Sequence, residues 1–187
     1  LIDSTMIALA RKINAYRPTI ERFVNGHPEA LLMVEFSGED ENAQLIKLDE
    51  LEQLLDDHGF PNSILKVADP NFQREITEVR KAGLNIMMSM KGDGKPVSFI
   101  EDCAVPLNHL GAYTERLTEV FSKHGVQGTW YAHASVGCLH VRPVLNMKAT
   151  MDVKKMRDIA EETFAMVREY KGSHSGEHGD GIVRSEF

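Results

Sequence analysis

A chain of 187 residues with 42% hydrophobic content holds enough apolar material for one globular domain, or two small subdomains sharing a core, without covalent staples. Its net charge of -7 and its lack of any sustained Lys/Arg block exclude a phosphate-backbone binder, so no nucleic-acid partner is expected. Two cysteines, Cys103 and Cys138, are too few for a disulfide framework and lack zinc-ribbon spacing, which points to ordinary thiols in a reducing compartment.

The opening LIDSTMIALARKI reads as a helix already under way, with Asp3 and Ser4 as its only caps and no initiator Met, the pattern of an internal fragment. After a helical turn started by Pro18, residues Ala30 to Gly38 mix apolar and β-favouring types and predict a strand. From Glu39 to His58, Leu45, Leu48, Leu51, Leu54 and Leu55 recur at helical spacing, closed by Gly59. A short strand is expected over Ile64 to Ala68, then a helix from Asp69-Pro70 to Gly83.

NIMMSM and PVSFIEDCAV, separated by a turn at Gly92 and Gly94, read as a first hairpin. Asn108 is placed to cap a helix running to about Gly125. TWYAHA and CLHVRPVL form the second hairpin, followed by a helix from about Asp152 to Lys171 and a glycine-rich tail, GSHSGEHGDGIVRSEF. No apolar run approaches the ~20 residues needed to cross a membrane. Together these elements predict an α+β fold, a mainly antiparallel sheet with helices on one face in a ferredoxin-like sandwich.

The most informative local feature is the pair His133 and His140. A turn centred on Val136-Gly137 sets them directly opposite each other, with Cβ atoms ~4.5 to 5.5 Å apart, close enough to share one divalent metal. Glu177 in the tail, flanked by Gly176 and Gly179, would complete a two-His, one-carboxylate site with open positions. The competing reading makes both histidines half-buried sheet residues with satisfied hydrogen bonds, and the tail a polar loop.

No H-E-x-x-H helix is present, and GEHGDG is neither a Walker motif nor a dinucleotide fingerprint. Arg80, at a helix end before an expected strand, either aims a cation at a carboxylate or caps the helix dipole. Arg142 shares a strand face with His140, so it stands beside any site the histidines form unless it is simply a solvated sheet residue.

Four features in order carry a family resemblance: Arg80 ahead of a strand, the Asp-x-x-x-Pro segment within Glu101 to Pro106, the H-x6-H hairpin of His133 and His140, and SGEHGDG from Ser175. Across essentially all its residues the chain resembles the C-terminal domain of the FAD-linked oxidases, which include D-lactate dehydrogenases, glycolate oxidase's flavoprotein subunit and D-2-hydroxyglutarate dehydrogenases. The resemblance implies that residues 1–187 form a single substrate-binding (cap) domain cut from a longer FAD-dependent enzyme, with the flavin-binding domain absent. It implies His133, His140 and Glu177 as ligands of a divalent metal, zinc first with manganese or iron as alternatives, His178 as base and Arg80 as anchor of the substrate carboxylate.

The hairpin departs from the commoner H-x-G-D-G-N-x-H pattern: Ser135, Val136 and Cys138 stand where Gly, Asp and Asn are usual, and Arg142 replaces a frequent Asn. This version is most similar to long bacterial FAD-linked proteins that also carry an iron-sulfur module, and a second cation at Arg142 would suit a dicarboxylate. The implied activity is hydride transfer from C2 of a 2-hydroxy acid to FAD. Its partners are that substrate, the FAD-binding domain of its own chain and a downstream electron acceptor, in the cytoplasm or at the inner membrane's surface. The alternative is a non-catalytic metal-binding or interaction module of a multidomain oxidoreductase.

Overall fold

A computed structural model describes all of residues 1–187. It has the expected α+β architecture, a six-stranded antiparallel sheet with eight α-helices. The sheet is built on β5 (Gly128–His133) and β6 (Cys138–Leu145). β6 pairs on its other side with the short β3 (Lys95–Pro96) and β4 (Cys103–Ala104), while β5 pairs with β1 (Ile2–Asp3), which in turn pairs with β2 (Ala30–Leu31).

Strand alternation divides β5 and β6 into two chemistries. Trp130, Ala132, Leu139, Val141 and Leu145 face the main core, where Tyr113, Leu117, Val120 and Phe121 of α6 (Leu110–Lys123) and Ile159, Phe164 and Val167 of α7 (Thr150–Glu169) pack on them. Thr129, Tyr131, His133, Cys138, His140 and Arg142 alternate with these and line the opposite face. A second, smaller core joins α1 (Ser4–Arg11), α2 (Arg17–Phe23), α4 (Pro70–Lys81) and α5 (Gly83–Met88) through Met6, Ile7, Ile20, Val79 and Ile86. Asp3 caps α1 by accepting from the Met6 amide at 2.8 Å.

Several expected strands are corrected. Of Ala30 to Gly38 only Ala30–Leu31 pairs, and Ile64 to Ala68 pairs with nothing. NIMMSM is no strand: α5 continues α4 with hardly a break, as suits Leu and Met, which carry no branch at Cβ, so Arg80 precedes a helix and the first expected hairpin does not exist. Asn108 does not cap α6, which begins after a turn of 3-10 helix at Leu107–His109. PVSFIEDCAV does lie along β6, but only its two ends pair. Lys95 and Cys103 are eight residues apart while their partners Leu145 and Leu139 are six apart, so two extra residues are thrown out as a bulge. No helix is long and apolar enough to cross a membrane.

Candidate metal centre

The bulge, the β5–β6 hairpin and the tail meet on the polar face of the sheet. The hairpin loop is a turn of 3-10 helix, Ala134–Val136, closed by Gly137 at φ 69°. A Cβ at Gly137 would lie 2.0 Å from the Val105 carbonyl oxygen, so only glycine fits there. This turn is centred one residue earlier than expected, so His133 opposes Cys138 and His140 opposes Tyr131. His133 and His140 are therefore diagonal neighbours rather than a directly opposed pair. They still share a face, with ring centroids 5.2 Å apart.

The tail brings Glu177 and His178 over this face. His140 Nε2, His178 Nε2 and His133 Nε2 lie 3.0, 3.3 and 3.4 Å from the same atom, Glu177 Oε1. The His140 and His178 rings stack at 4.9 Å. Arg80 Nη2 stands 3.5 Å from His133 Nδ1, at the limit of a hydrogen bond, and its guanidinium lies 5.8 Å from the Tyr131 ring centre.

Two residues at the end of the bulged segment hold this cluster from beneath, and neither was picked out as a site residue from the sequence. Glu101, buried, accepts hydrogen bonds from His140 Nδ1 at 3.3 Å, His178 Nδ1 at 2.8 Å and Arg142 Nη2 at 3.3 Å. Burial works against its charge, but the bonds from His140 and His178 and the Arg142 guanidinium outweigh it and hold the carboxyl down at about 2. The same Glu101 bond holds His178 above the ordinary histidine range. Asp102, fully buried, grips the tail loop. Arg184, in the tail helix α8 (Gly181–Arg184), folds back to donate to the carbonyls of Glu101 and Gly179.

The signal for Glu101 and Asp102 was present as an adjacent acidic pair closing an otherwise apolar run, at the head of the Asp-x-x-x-Pro segment. Arg184 had none, being one cation in a polar tail.

The donor set fits a cation. With Nδ1 of His140 and of His178 held by Glu101, Nε2 is the ring atom that each turns toward the Glu177 carboxylate oxygen. Imidazole nitrogens gathered around one carboxylate oxygen suit a shared positive charge, carried by a bound cation or by protons on the rings. The carboxylate–histidine pairing behind them is the usual support of a metal-bound imidazole. Asp102, His140, Glu177 and His178 each place one ligand-type atom within 4.8 Å of the others.

A family model described as FAD linked oxidases, C-terminal domain, matches residues 1–187. The chain belongs to that family. It is 30% identical over 202 aligned positions to D-2-hydroxyglutarate dehydrogenase of Escherichia coli K12, an alignment covering 100% of this chain and 19% of the relative. The Haemophilus influenzae D-2-hydroxyglutarate dehydrogenase is 29% identical over 196 positions, again 100% of this chain and 19% of the relative. Glycolate oxidase subunit GlcD of Bacillus subtilis is 22% identical over 112 positions, 60% of this chain and 23% of that protein. The chain thus spans about a fifth of the length of the D-2-hydroxyglutarate dehydrogenases it matches.

Within this FAD-linked oxidase domain the cysteines are both free and buried. Burial pushes each thiol up to about 12, with the Asp102 carboxylate adding to the effect at Cys138.

Proposed function

We propose that this chain is the substrate- and metal-binding part of an FAD-dependent dehydrogenase of 2-hydroxy acids, of the D-2-hydroxyglutarate type, whose flavin is held by a domain outside this sequence. The observation that carries the reading is the approach of three imidazole Nε2 atoms to Glu177 Oε1, two of them fixed from behind by Glu101. His133, His140 and Glu177 would hold the cation, and their nitrogen and oxygen donors favour zinc over manganese or iron. When bound, a divalent cation supplies Lewis acidity at the substrate oxygens and FAD supplies the two-electron acceptor.

His178 takes the hydroxyl proton. Its Nδ1 is engaged by Glu101, so Nε2 is the lone pair that faces the site, and the imidazolium formed on protonation is already paired with a carboxylate. Arg142 leaves its Nε as a buried donor without an acceptor, and Arg80 stands at the His133 end of the cluster. Two cations beside one site suit a substrate with two carboxylates. The names of the relatives support the same substrate class, and the chain's share of their length fits a part of a longer enzyme.

The test mixes the full-length enzyme anaerobically with D- and L-2-hydroxy acids and follows flavin absorbance. Bleaching by one D-acid is expected. Silence across the panel, with flavin and metal present, would leave a non-catalytic metal-binding module instead. His140→Ala should lose metal and bleaching together, and flavin reduction at the parent rate by that variant would remove the metal from the reaction.

A further inference from the structure

We infer that Asp102 is a positioning residue whose buried carboxylate clamps the loop carrying Glu177 and His178, and that it is not itself a metal ligand. The inference rests on the metal reading above, and it assigns the one carboxylate in the four-residue cluster whose lone pairs are already used. Oδ1 accepts from the Glu177 amide at 3.0 Å and from Cys138 Sγ at 3.4 Å. Oδ2 accepts from Ser175 Oγ at 2.6 Å and the His178 amide at 2.8 Å. A carboxylate offers about four lone-pair sites, so a metal would have to displace a donor from an atom that already has two.

The surrounding bonds show the same purpose. The Asp102 carbonyl accepts from the Gly176 amide at 2.7 Å, and Ala104 exchanges a pair of backbone bonds with Ser173. Ser175 Oγ, while donating to Asp102, accepts from the Gly179 amide at 2.7 Å. A Cβ on Gly176 would come within 3.0 Å of Cys138 Sγ and 3.4 Å of the Asp102 carbonyl, so the loop lies directly on the bulge. Asp102 itself sits at φ 73°, a left-handed conformation rare outside glycine. A fully buried charge in that conformation is sustained by its donors, and two of those donors are the amides of Glu177 and His178. Fixing the Glu177 and His178 amides sets where the Glu177 carboxylate and the His178 ring can point.

The experiment uses the full-length protein with Co2+ as the probe, reading its affinity and visible ligand-field spectrum alongside hydrogen exchange at the Glu177 and His178 amides. D102N replaces one acceptor oxygen with a donor facing backbone N–H groups. It should weaken Co2+ binding by roughly 10- to 100-fold, as supporting partners of metal ligands do, and speed exchange at both amides. S175A touches the clamp without altering any ligand, keeps the test available if D102N folds poorly, and should move both readouts in the same direction by less. The double variant should be no worse than D102N alone. Wild-type affinity and protection in D102N would overturn the inference. So would a silent S175A beside a D102N that loses Co2+ entirely, since Asp102 would then be a ligand. A parent that binds no Co2+, while D102N still frees the two amides, would overturn the metal reading and leave the clamp standing.

Discussion

The helices α7 and α3 (Glu41–Asp57) are both long and both carry apolar residues at helical spacing, yet α7 buries Ile159, Ala160, Thr163, Phe164, Met166 and Val167 while α3 buries nothing. Capping does not explain the difference. α3 has the better start, with Asp40 accepting from the amides of Asn42 and Ala43, whereas α7 has no side-chain cap. What separates them is the surface each one meets. α7 lies with α6 on the apolar face of β5 and β6, and α3 is tied to the next segment by the ion pairs of Lys66 with Asp49 and Glu52. Residues close in sequence decide that a helix forms, and residues far away decide whether its stripe becomes core.

The comparison breaks most easily at Phe164, which is fully buried and packs with tilted rings against His174 at 4.5 Å and Phe187 at 4.7 Å between centroids. Phe164→Ala should cost about 3–5 kcal/mol through lost burial and a cavity the packed sheet cannot close. Denaturant unfolding checks it, and a loss under about 1 kcal/mol would mean that α7 does not anchor the core.

The same distinction explains what could be read from the sequence. The β5–β6 hairpin, α4, α6, α7 and the glycine-rich tail announce themselves by alternation, spacing or glycine content, all short-range signals. Over Ala30 to Gly38 and Ile64 to Ala68 the β-favouring composition was equally clear, but pairing needs a partner strand and composition does not supply one. His133, His140, Glu177 and His178, whose side chains converge on one another, were singled out in the sequence from the two hairpin histidines and the Glu-His of the tail. Their exact relation was not, because one residue's displacement of the turn moves His133 from a direct to a diagonal position. Glu101 and Asp102 were missed as site residues because a bulge of two extra residues, invisible in an apolar run, aims them under the histidines.

A smaller effect sharpens the comparison from the polar side of α7. Glu162 bridges to α6, with Lys123 Nζ at 2.9 Å and His124 Nε2 at 2.7 Å. Burial opposes its charge, but the hydrogen bonds from Lys123 and His124 prevail and hold the carboxyl below the ordinary glutamate range. A carboxyl whose pKa is lower in the folded than in the unfolded state adds stability above the unfolded value. That contribution is lost as pH falls through the folded value. Glu162→Gln should therefore destabilise by up to about 1 kcal/mol at pH 7, and the gap to the parent should close as pH drops below the unfolded glutamate value of ~4.3. Unfolding curves for parent and variant at a series of pH values give the answer, and a gap that stays constant into acid would assign the contact to packing rather than charge.

The smallest effect is expected at Leu54, one of the five leucines that define the α3 stripe in the sequence and 52% exposed in the structure. Leucine and alanine differ little in helix propensity, so Leu54→Ala tests burial and almost nothing else. If the stripe is solvated, the change should fall within about 0.5 kcal/mol, an order below the Phe164 substitution. The measurement belongs in the full-length protein, read by the same denaturant unfolding, because that chain carries every surface α3 could meet. A cost of 2 kcal/mol or more there would place Leu54 in a packed environment. It would make α3 and α7 alike after all, each helix buried by a partner distant in sequence, with the partner of α3 lying beyond these 187 residues.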